Sequence, residues 1–394
     1  MLKKRILSIV LALTMLMVPG AYAAQPAKDD MRGVWVASVH NIDFPSEQGM
    51  TADQLKAEAD TELDNIVAMG LNTVFLQVRP SADALYPSEL FPWSRYVSGT
   101  AGQAPNGSFD VLGYWVTAAH ERGLQLHAWI NPYRITIDGE DEWNAIPDSS
   151  PAKQHPEWVI KYNDNYYFDP GIPAVQQLVV DGAAEIVKNY DVDGIHLDDY
   201  FYPTTETAFD AAAFADAKAD DLGAFRLEQV NAMVQQIYST VKAASPAIQL
   251  SISPQGTMDG NYTKQYADVR RWGTETGYCD VLIPQLYYGF ANETAPFAEA
   301  LQTWTETVSS ESVSLVIGIG THKCGKEDTW AGSGSMEWCS EPTLPIRQAK
   351  LALETNGTDG VAVYDYETTF QPDTAADALS QIREALGKLF RNGK

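Results

Sequence analysis

The sequence is short of positive charge. Its 394 residues include 27 Lys and Arg against 52 Asp and Glu, which gives a net charge of −25. A surface this acidic repels the phosphate backbone of nucleic acids and discourages tight binding to anionic membranes. We therefore expect no nucleic-acid partner.

Cysteine is scarce as well, with three residues, and neither an H-E-x-x-H nor a paired C-x-x-C motif occurs. The sequence thus gives no sign of a zinc site, and we expect no metal and no cofactor. Cys279 opens an apolar run and is expected to be a buried small hydrophobe. Cys324 and Cys339 flank the Gly/Ser-rich segment CGKEDTWAGSGSMEWC, and in an exported protein they are candidates for a disulfide.

Long apolar runs are also missing. The run over residues 6–18 is too short to span a bilayer, and no later run is long enough. It follows Lys3-Lys4-Arg5 and precedes Ala21-Tyr22-Ala23, the order typical of a secretory signal. We expect cleavage after Ala23, a secreted or cell-envelope location without stable membrane insertion, and a mature chain of residues 24–394. We interpret that chain as one large domain with a core of about 32–390, although two domains fit its length equally well.

No glycine-rich loop follows the first predicted strand, where the sequence reads ASVHNIDFPS. This argues against an open, doubly wound sheet that binds a dinucleotide, the main alternative fold. The sequence has instead eight apolar runs, each followed by an amphipathic stretch. Runs such as GVWVAS and VSLVIGIG lack alternation, which is typical of parallel strands covered on both faces. We predict an α/β fold, the (β/α)8 TIM barrel.

The predicted strands are 32–38, 72–79, 124–132, 194–202, 249–256, 279–288, 313–320 and 360–367. The predicted helices are about 51–69, 109–122, 173–189, 222–244, 264–276, 294–309, 344–355 and 374–390. Thr51 is expected to cap the first helix and Gly70 to end it. The segments 80–108 and 132–172 are long and carry Trp, Tyr, Pro and Asp. Loops of this length are usually functional, and in a TIM barrel they lie at the face that binds substrate.

Carboxylates, amides and aromatic residues collect where the predicted strands end. In VDGIHLDDYFYP the acids Asp198 and Asp199 directly follow an apolar strand, where they are costly without partners or a task. The candidate catalytic residues are Asp198, Asp199, Asp365 and Glu367. The candidate substrate-binding residues are Gln77, Arg79, Asp83, His127, Trp129, Asn131, Tyr133, Arg134, His196, Tyr200, Tyr202, Gln285, Tyr287, Tyr288, Tyr364 and Tyr366. This mixture suits sugar rings, whose hydroxyls need polar partners and whose apolar faces need aromatic platforms.

Several of these residues have a structural alternative. Asp198 and Asp199 are read alternatively as loop acids or a helix cap, and His196 as a core histidine. Arg79 is expected to orient a carboxylate, with structural pairing to Asp83 as one option. Acids and tyrosines alternate over residues 364–367, so one pair points into the barrel and the sequence does not say which.

Seven blocks of the sequence, in order, resemble the glycosyl hydrolase-like 10 family. They are MRGVWVASVHNIDFPS, LNTVFLQVRPSADALYPSELFPWSRYVSG, AHERGLQLHAWINPYRI, YYFDPGIPAV, NYDVDGIHLDDYFYP, SISPQG and DVLIPQLYY, and they cover about residues 32–320. The resemblance implies a TIM barrel in an exported bacterial protein. It also implies hydrolysis of glycosidic bonds, with links to peptidoglycan glycan strands stripped of their stem peptides.

DGIHLDDY also resembles, more distantly, the D-G-x-D-x-D-x-E strand of family 18 chitinases. Asp193, Gly194 and Asp198 fit that pattern. His196 stands where the pattern has Asp, and Tyr200 stands where it has the catalytic Glu. Proton donation must therefore come from elsewhere.

We expect Asp198 or Asp199 to be the general acid, because crowding and desolvation raise the pKa of a carboxyl group. Neighbouring residues on an ideal strand point to opposite faces, which favours a partner from another strand, Glu367 or Asp365. Alternatively, the acetamido oxygen of an N-acetylated sugar attacks, held by Tyr287 or Gln285. A barrel that binds glycans without cutting them and a hydrolase with a metal held by carboxylates are further alternatives.

Overall fold

Eight parallel strands close into a barrel in the computed structural model, which describes residues 31–392. The strands are β1 (Met31–Val36), β2 (Thr73–Arg79), β3 (Gln125–Ile130), β4 (Gly194–Leu197), β5 (Gln249–Ile252), β6 (Val281–Leu282), β7 (Ser314–Gly320) and β8 (Gly360–Tyr364). Each strand pairs with its neighbours in sequence, and β1 pairs with both β2 and β8 to close the ring. The predicted TIM barrel is confirmed. The predicted signal segment lies outside the described residues.

A helix follows each strand and packs outside the barrel. The helices are α1 (Ala52–Met69), α2 (Val111–Glu121), α3 (Pro173–Asn189), α4 (Leu222–Ala244), α5 (Val269–Thr274), α6 (Phe297–Thr307), α7 (Leu344–Glu354) and α8 (Ala376–Asn392). The side chains of Thr51 and Gln54 form a capping box at the start of α1, and Gly70 ends this helix with a φ of 86°. No described helix is long and apolar enough to cross a membrane.

Strand β6 is much shorter than the predicted 279–288. Pro284 has no backbone N–H, so it cannot donate to the neighbouring strand. Beyond it, Gln285 still forms isolated bridges with Gln255 and Gly318. The chain therefore keeps its direction towards the top of the barrel after regular pairing has ended, and it carries Gln285 there.

The buried apolar side chains form two clusters. The larger fills the space between the strands and the outer helices, and includes Trp115, Trp272 and Trp304. The smaller lies inside the barrel and includes Trp35, Phe75, Trp129, Val316 and Ala362. Aromatic rings thus fill the barrel beneath its C-terminal end.

At the N-terminal end of the barrel, polar side chains fix the strand register. The residue just before each even-numbered strand accepts a hydrogen bond from the backbone of the preceding strand. The bonds are Asn72 Oδ1 to Arg32 N at 2.8 Å, Asp193 Oδ2 to Leu126 N at 2.8 Å, Asp280 Oδ2 to Leu250 N at 2.7 Å and Asp359 Oδ2 to Leu315 N at 2.9 Å. Asp193, which opens the chitinase-like pattern, therefore has a structural partner far from the C-terminal ends of the strands.

The long segment after β3 contains a hairpin that the sequence analysis did not predict. Its strands, Val159–Tyr162 and Asn165–Phe168, pair antiparallel around Asn163 and Asp164. The segment just after β3 lies along this hairpin, since Ile135 N donates to Tyr166 O at 3.0 Å and Phe168 N to Tyr133 O at 2.8 Å. The hairpin thereby fixes the backbone on both sides of residue 134.

All three cysteines are free thiols, so the candidate disulfide is wrong. Cys324 is buried in the turn after β7. The sulfur of Cys339 instead donates to the Gly325 carbonyl at 3.6 Å. As predicted, Cys279 is a buried small side chain, 2% exposed.

We predict that Asp193→Ala lowers the free energy of unfolding by about 1–3 kcal/mol, because it leaves the partly buried Leu126 N–H without an acceptor. It also removes the contact of 2.9 Å with His120 Nε2. The matched control is Asp191→Ala, since this neighbouring side chain is 77% exposed. That control should change stability by no more than about 0.5 kcal/mol. Urea unfolding measures both, and equal stability of the two variants would contradict the structural role of Asp193.

Candidate active site

A cavity of about 370 Å³ opens at the C-terminal end of the barrel. Its lining comes from the ends of seven of the eight strands and from the loops that follow them. The lining residues are Trp35, Val39, His40, Ile42, Gln77, Trp129, Arg134, Ile137, Asp198, Asp199, Tyr200, Ser253, Gln285, Tyr287 and Tyr364. Polar groups and aromatic rings therefore converge on one space at the face where TIM barrels bind their substrates.

Nine of the candidate residues line this cavity, and six lining residues were missed. The missed residues are Trp35, Val39, His40, Ile42, Ile137 and Ser253. Trp35 and Ser253 had a usable signal, because they lie at inward-facing positions of predicted strands. They were missed because β1 and β5 do not end in carboxylates. The three apolar loop residues carried no signal of a site.

Asp198 ends a chain of hydrogen bonds that begins in the backbone after β1. The amides of Ser38 and Val39 donate to Gln77 Oε1 at 3.0 and 2.9 Å. Because these donors fix the amide of Gln77, its Nε2 points the other way and donates to Asn131 Oδ1 at 2.7 Å. Asn131 Nδ2 then donates to Asp198 Oδ2. The orientation of each amide is thus set by the one before it, and Asp198 receives an N–H.

The two acids share a strongly perturbed environment. Burial and repulsion from Asp199 raise the pKa of Asp198 to about 7, against the opposing effect of the Arg134 charge. Burial also raises the pKa of Asp199, while a hydrogen bond from Gln285 Nε2 at 3.3 Å lowers it. The pair therefore shares a proton near neutral pH, and Asp198, which is 3% exposed, is the member whose pKa is raised to about 7.

Asp198 and Asp199 line the same cavity, which corrects the expectation that they face opposite sides of the sheet. That expectation assumed a strand running to residue 202. Strand β4 ends at Leu197, so the alternation of side chains no longer applies to the two acids. The backbone turns here, with the amide of Tyr200 donating to Asp198 Oδ1 at 3.2 Å.

His127 and His196 lie below the cavity and do not line it. Trp35 Nε1 donates to His196 Nε2 at 2.9 Å, so the proton of the His196 ring is on Nδ1. Both rings contact Ser251 Oγ through Nδ1, at 2.9 Å for His127 and 2.8 Å for His196. Burial lowers the pKa of both, that of His127 to about 4. The neutral His196 ring holds Trp35 and Ser253, which do line the cavity, in place, and His127 contacts the same Ser251 hydroxyl from the other side.

One wall of the cavity is aromatic. The rings of Tyr287 and Tyr364 stack with centroids 5.5 Å apart, and Trp35 meets Tyr364 edge-on at 6.1 Å. Behind them His322 packs its ring against Tyr287 at 5.1 Å and Tyr364 at 5.3 Å. Burial lowers the pKa of His322 to about 4, so it supports the wall as a neutral ring. His322 was not among the candidate residues.

Six other candidate residues point away from the cavity: Arg79, Asp83, Tyr133, Tyr202, Tyr288 and Tyr366. Arg79 is 1% exposed and lies 3.6 Å above the ring of Phe91, and it forms no ion pair with Asp83 among the described residues. Asp83 is half-buried and accepts a hydrogen bond from Ser81 N at 3.0 Å. Both residues therefore belong to the packing of the loop after β2.

The four tyrosines are placed by the same rules of alternation and packing. Tyr288 follows the inward-facing Tyr287 and lies against Gly256 instead. Tyr202 packs beside Tyr266 at 5.2 Å, and Tyr366 accepts a hydrogen bond from Asn65 of α1 at 2.8 Å. Tyr133 lines a second cavity, described below.

Asp365 and Glu367 do not line the cavity either. Asp365 caps the short helix Tyr366–Phe370, and its Oδ1 accepts from Thr368 N at 2.9 Å. Glu367 lines a separate cavity of about 190 Å³. The helix starts directly after β8, so neither side chain continues the strand pattern on which the prediction rested. Within residues 31–391, no three His, Cys, Asp or Glu side chains form a group that could hold a metal ion.

Comparison with known proteins gives the family. The chain matches the glycosyl hydrolase-like 10 family over residues 30–331. It is 36% identical to glycosyl hydrolase YngK of Bacillus subtilis (strain 168) over 367 residues, which cover 88% of this chain and 71% of that protein. It is 31% identical to glycosyl hydrolase DigH of Escherichia coli (strain K12) over 352 residues, 79% of each chain.

Among solved structures, the glycoside hydrolase domain of PgaB (BpsB) from Bordetella bronchiseptica is similar with a TM-score of 0.57 at 11% identity. The match covers 91% of this chain and 99% of that one, and it shows a shared fold. The sequence resemblance is confirmed by the family match. The chain belongs to the glycosyl hydrolase-like 10 family, and it is a glycoside hydrolase.

Proposed function

We propose that the protein hydrolyses an N-acetylated glycan, the denuded strands of peptidoglycan, with Asp198 as general acid and the substrate's own acetamido oxygen as nucleophile. One observation carries this proposal. Of the described residues that line the cavity, two are carboxylates, and both come from the end of β4.

The position of these carboxylates favours an internal nucleophile. A mechanism with two protein carboxylates needs them on both sides of the scissile bond, about 5–10 Å apart. Asp198 and Asp199 are neighbours in the chain and approach from one side of the barrel. Asp365 and Glu367, the candidates from β8, do not line the cavity. An acetamido oxygen supplies the attacking group from within the sugar, so one acid and one supporting carboxylate suffice.

The pKa of Asp198 and the hydrogen-bond partner of Asp199 suggest a role for each acid. A general acid works best when its pKa lies near the working pH, and the pKa of Asp198 is about 7. Asp199 is then the ionised partner, held by Gln285 Nε2 at 3.3 Å. Its negative charge stabilises the positive charge that develops on the acetamido group and the anomeric carbon in the transition state.

The rest of the lining suits the same substrate. The stacked rings of Tyr287 and Tyr364, together with Trp35, offer apolar faces for a sugar ring and for an acetamido methyl group. Gln77 and Ser253 also line the cavity beside them. The choice of peptidoglycan strands without stem peptides follows what the family resemblance implies.

We predict that Asp198→Asn and Asp199→Asn lose activity in different ways. Removal of the acid should lower kcat on a natural glycan by about 100- to 10,000-fold. It should have little effect on an aryl glycoside of N-acetylglucosamine with a good leaving group, because that group departs without a proton. Asp199→Asn should impair both substrates, because both pass through the same charged intermediate. Steady-state kinetics on the two substrates makes this test.

The outcome separates three cases. The opposite pattern would exchange the roles of the two acids. Full activity of both variants on both substrates would end the proposal. Asp191→Asn, which removes one exposed carboxylate far from the cavity, is the control and should behave as wild type.

We further predict that kcat/KM of the wild type falls as pH rises through about 7, because Asp198 must be protonated to act and loses its proton above its pKa. Asn131→Leu removes an N–H that stabilises the carboxylate form. The pKa of Asp198 therefore rises, and the alkaline limb of the profile moves to higher pH. Asn106→Leu, on an exposed turn, is the matched control and should leave the profile unchanged. An unshifted limb in Asn131→Leu would contradict the assignment of Asp198 as the acid.

We also propose that the protein is exported, because residues 1–23 have the pattern of a secretory signal. In a bacterial host the protein recovered outside the cytoplasm should begin at Ala24, as measured by intact mass. Ala23→Leu places a larger side chain before the cleaved bond and should leave the signal attached. Recovery of wild-type protein that still begins at Met1 would contradict the proposal.

A further inference from the structure

A second cavity of about 280 Å³ adjoins the first and shares three lining residues with it, Arg134, Ile137 and Tyr200. Its own lining includes Tyr133 and Asn165, from the segment after β3 and from the hairpin. Tyr133 is 1% exposed, and its hydroxyl has no hydrogen-bond partner among the described residues. A buried hydroxyl without a partner is costly, so this wall is suited to a polar ligand.

Arg134 is held firmly where the two cavities meet. Its backbone bridges to Tyr167 of the hairpin. Its side chain donates from Nε at 2.9 Å and Nη2 at 2.5 Å to the Pro80 carbonyl, and it lies 5.2 Å from the ring centroid of Tyr200. These contacts fix the plane of the guanidinium and leave Nη1 without a hydrogen bond to any described residue.

This charge acts on Asp198 and Asp199 from a distance, but it has no contact ion pair among the described residues. No carboxylate of the described residues lies within 4 Å of the Arg134 guanidinium, although acidic residues outnumber basic ones by almost two to one in the sequence. Among the described residues that line either cavity, Arg134 alone carries a fixed positive charge. Neutral sugars do not require such a charge, whereas a carboxylate matches the fork of a guanidinium.

We infer that the junction binds a sugar unit that bears a free carboxylate, and that Arg134 recognises it. The inference rests on the proposed function and names the residue that selects the substrate. Asp199 repels a carboxylate from the deeper cavity, so the acidic unit lies across the junction towards Tyr133 and Asn165. In a denuded strand the free lactyl carboxylate supplies this group. An attached stem peptide converts it into an amide and removes its charge.

The test measures binding in the Asp198→Asn background, which separates recognition from turnover. The probes are a tetrasaccharide in which alternate N-acetylglucosamine units carry a lactyl ether with a free carboxylate, and the same molecule with each carboxylate converted to its methylamide. Calorimetry gives the Kd of each. Arg134→Gln should weaken binding of the free acid by about 10- to 100-fold, the range for loss of a charge-assisted hydrogen bond. It should weaken binding of the methylamide less than about 3-fold.

Two further variants complete the design. Arg134→Lys keeps the positive charge but not the forked geometry of the guanidinium. Its loss of affinity for the free-acid probe should therefore lie between those of the parent and Arg134→Gln. Arg271→Gln removes one positive charge from α5, far from the cavities, and should bind both probes as the parent does. Thermal unfolding confirms that the variants are folded. Equal losses for the two probes, or no loss in Arg134→Gln, would overturn the inference.

Kinetics with Asp198 intact separates this inference from the proposed function. The Arg134 charge lowers the pKa of both acids, so Arg134→Gln will also change kcat. That change in kcat applies to both probes. Recognition of the carboxylate is reported only by the difference between the effects of the substitution on the free-acid probe and on the methylamide probe. If the wild type cuts both probes equally well, the proposed hydrolysis stands and recognition by Arg134 is wrong. If the wild type cuts neither, the proposed function fails whatever the binding data show.

Discussion

The site depends on the hydrogen-bond chain that ends at Asp198. Two backbone N–H groups after β1 fix the amide of Gln77, which fixes that of Asn131, which then presents its own N–H to the acid. Reversing either amide would set buried donor against donor and acceptor against acceptor, which costs about 1–3 kcal/mol for each unpaired group. The chain crosses from β1 through β2 and β3 to β4, so closure of the barrel in its observed register positions the acid. The polar contacts at the opposite end of the strands, such as that of Asp193 with Leu126, hold this register.

This arrangement also explains how one carboxyl group keeps its proton near neutral pH. Burial and the charge of Asp199 favour the neutral form of Asp198, while the Asn131 amide, the Tyr200 N–H and the Arg134 charge favour the ionised form. These opposing effects leave the pKa of Asp198 at about 7, so the group can both hold and release a proton near neutral pH. Without those donors the pKa of Asp198 would lie higher, and with greater exposure it would lie closer to the ordinary value of a carboxyl group. The charge of Asp199 thus raises the pKa of Asp198, whereas the Asn131 N–H, oriented through Gln77 by the backbone after β1, lowers it.

The sequence predicts the barrel well because its strands and helices have clear local patterns. Eight continuous apolar runs match buried parallel strands, and eight amphipathic stretches match helices with one face on the barrel. It predicts the site less well wherever a strand stops early. The rule of alternation failed for Asp199, since β4 ends at Leu197, and for Asp365 and Glu367, since a helix follows β8 at once. The hairpin did carry a local signal, because Asn163 and Asp164 at its turn have φ of 45° and 63°, which these residue types tolerate. The pairing of Gln77 with Asn131 carried none, since it joins residues 54 positions apart.

The departures from the chitinase-like pattern fit together once the side chains are located. At the position of the pattern's middle Asp, His196 is buried and neutral, and it accepts the Trp35 N–H beneath the cavity. It therefore supports the Trp35 ring beneath the cavity and, being neutral, places no charge next to Asp198. At the position of the catalytic Glu, Tyr200 is 54% exposed and packs beside Arg134 at the rim. In the proposed mechanism the acid is Asp198, one position of the strand alternation earlier, and the neutral His196 gives it no charged neighbour. Asp199 supplies that neighbour from the next position in the chain, and it can do so because the strand has already ended.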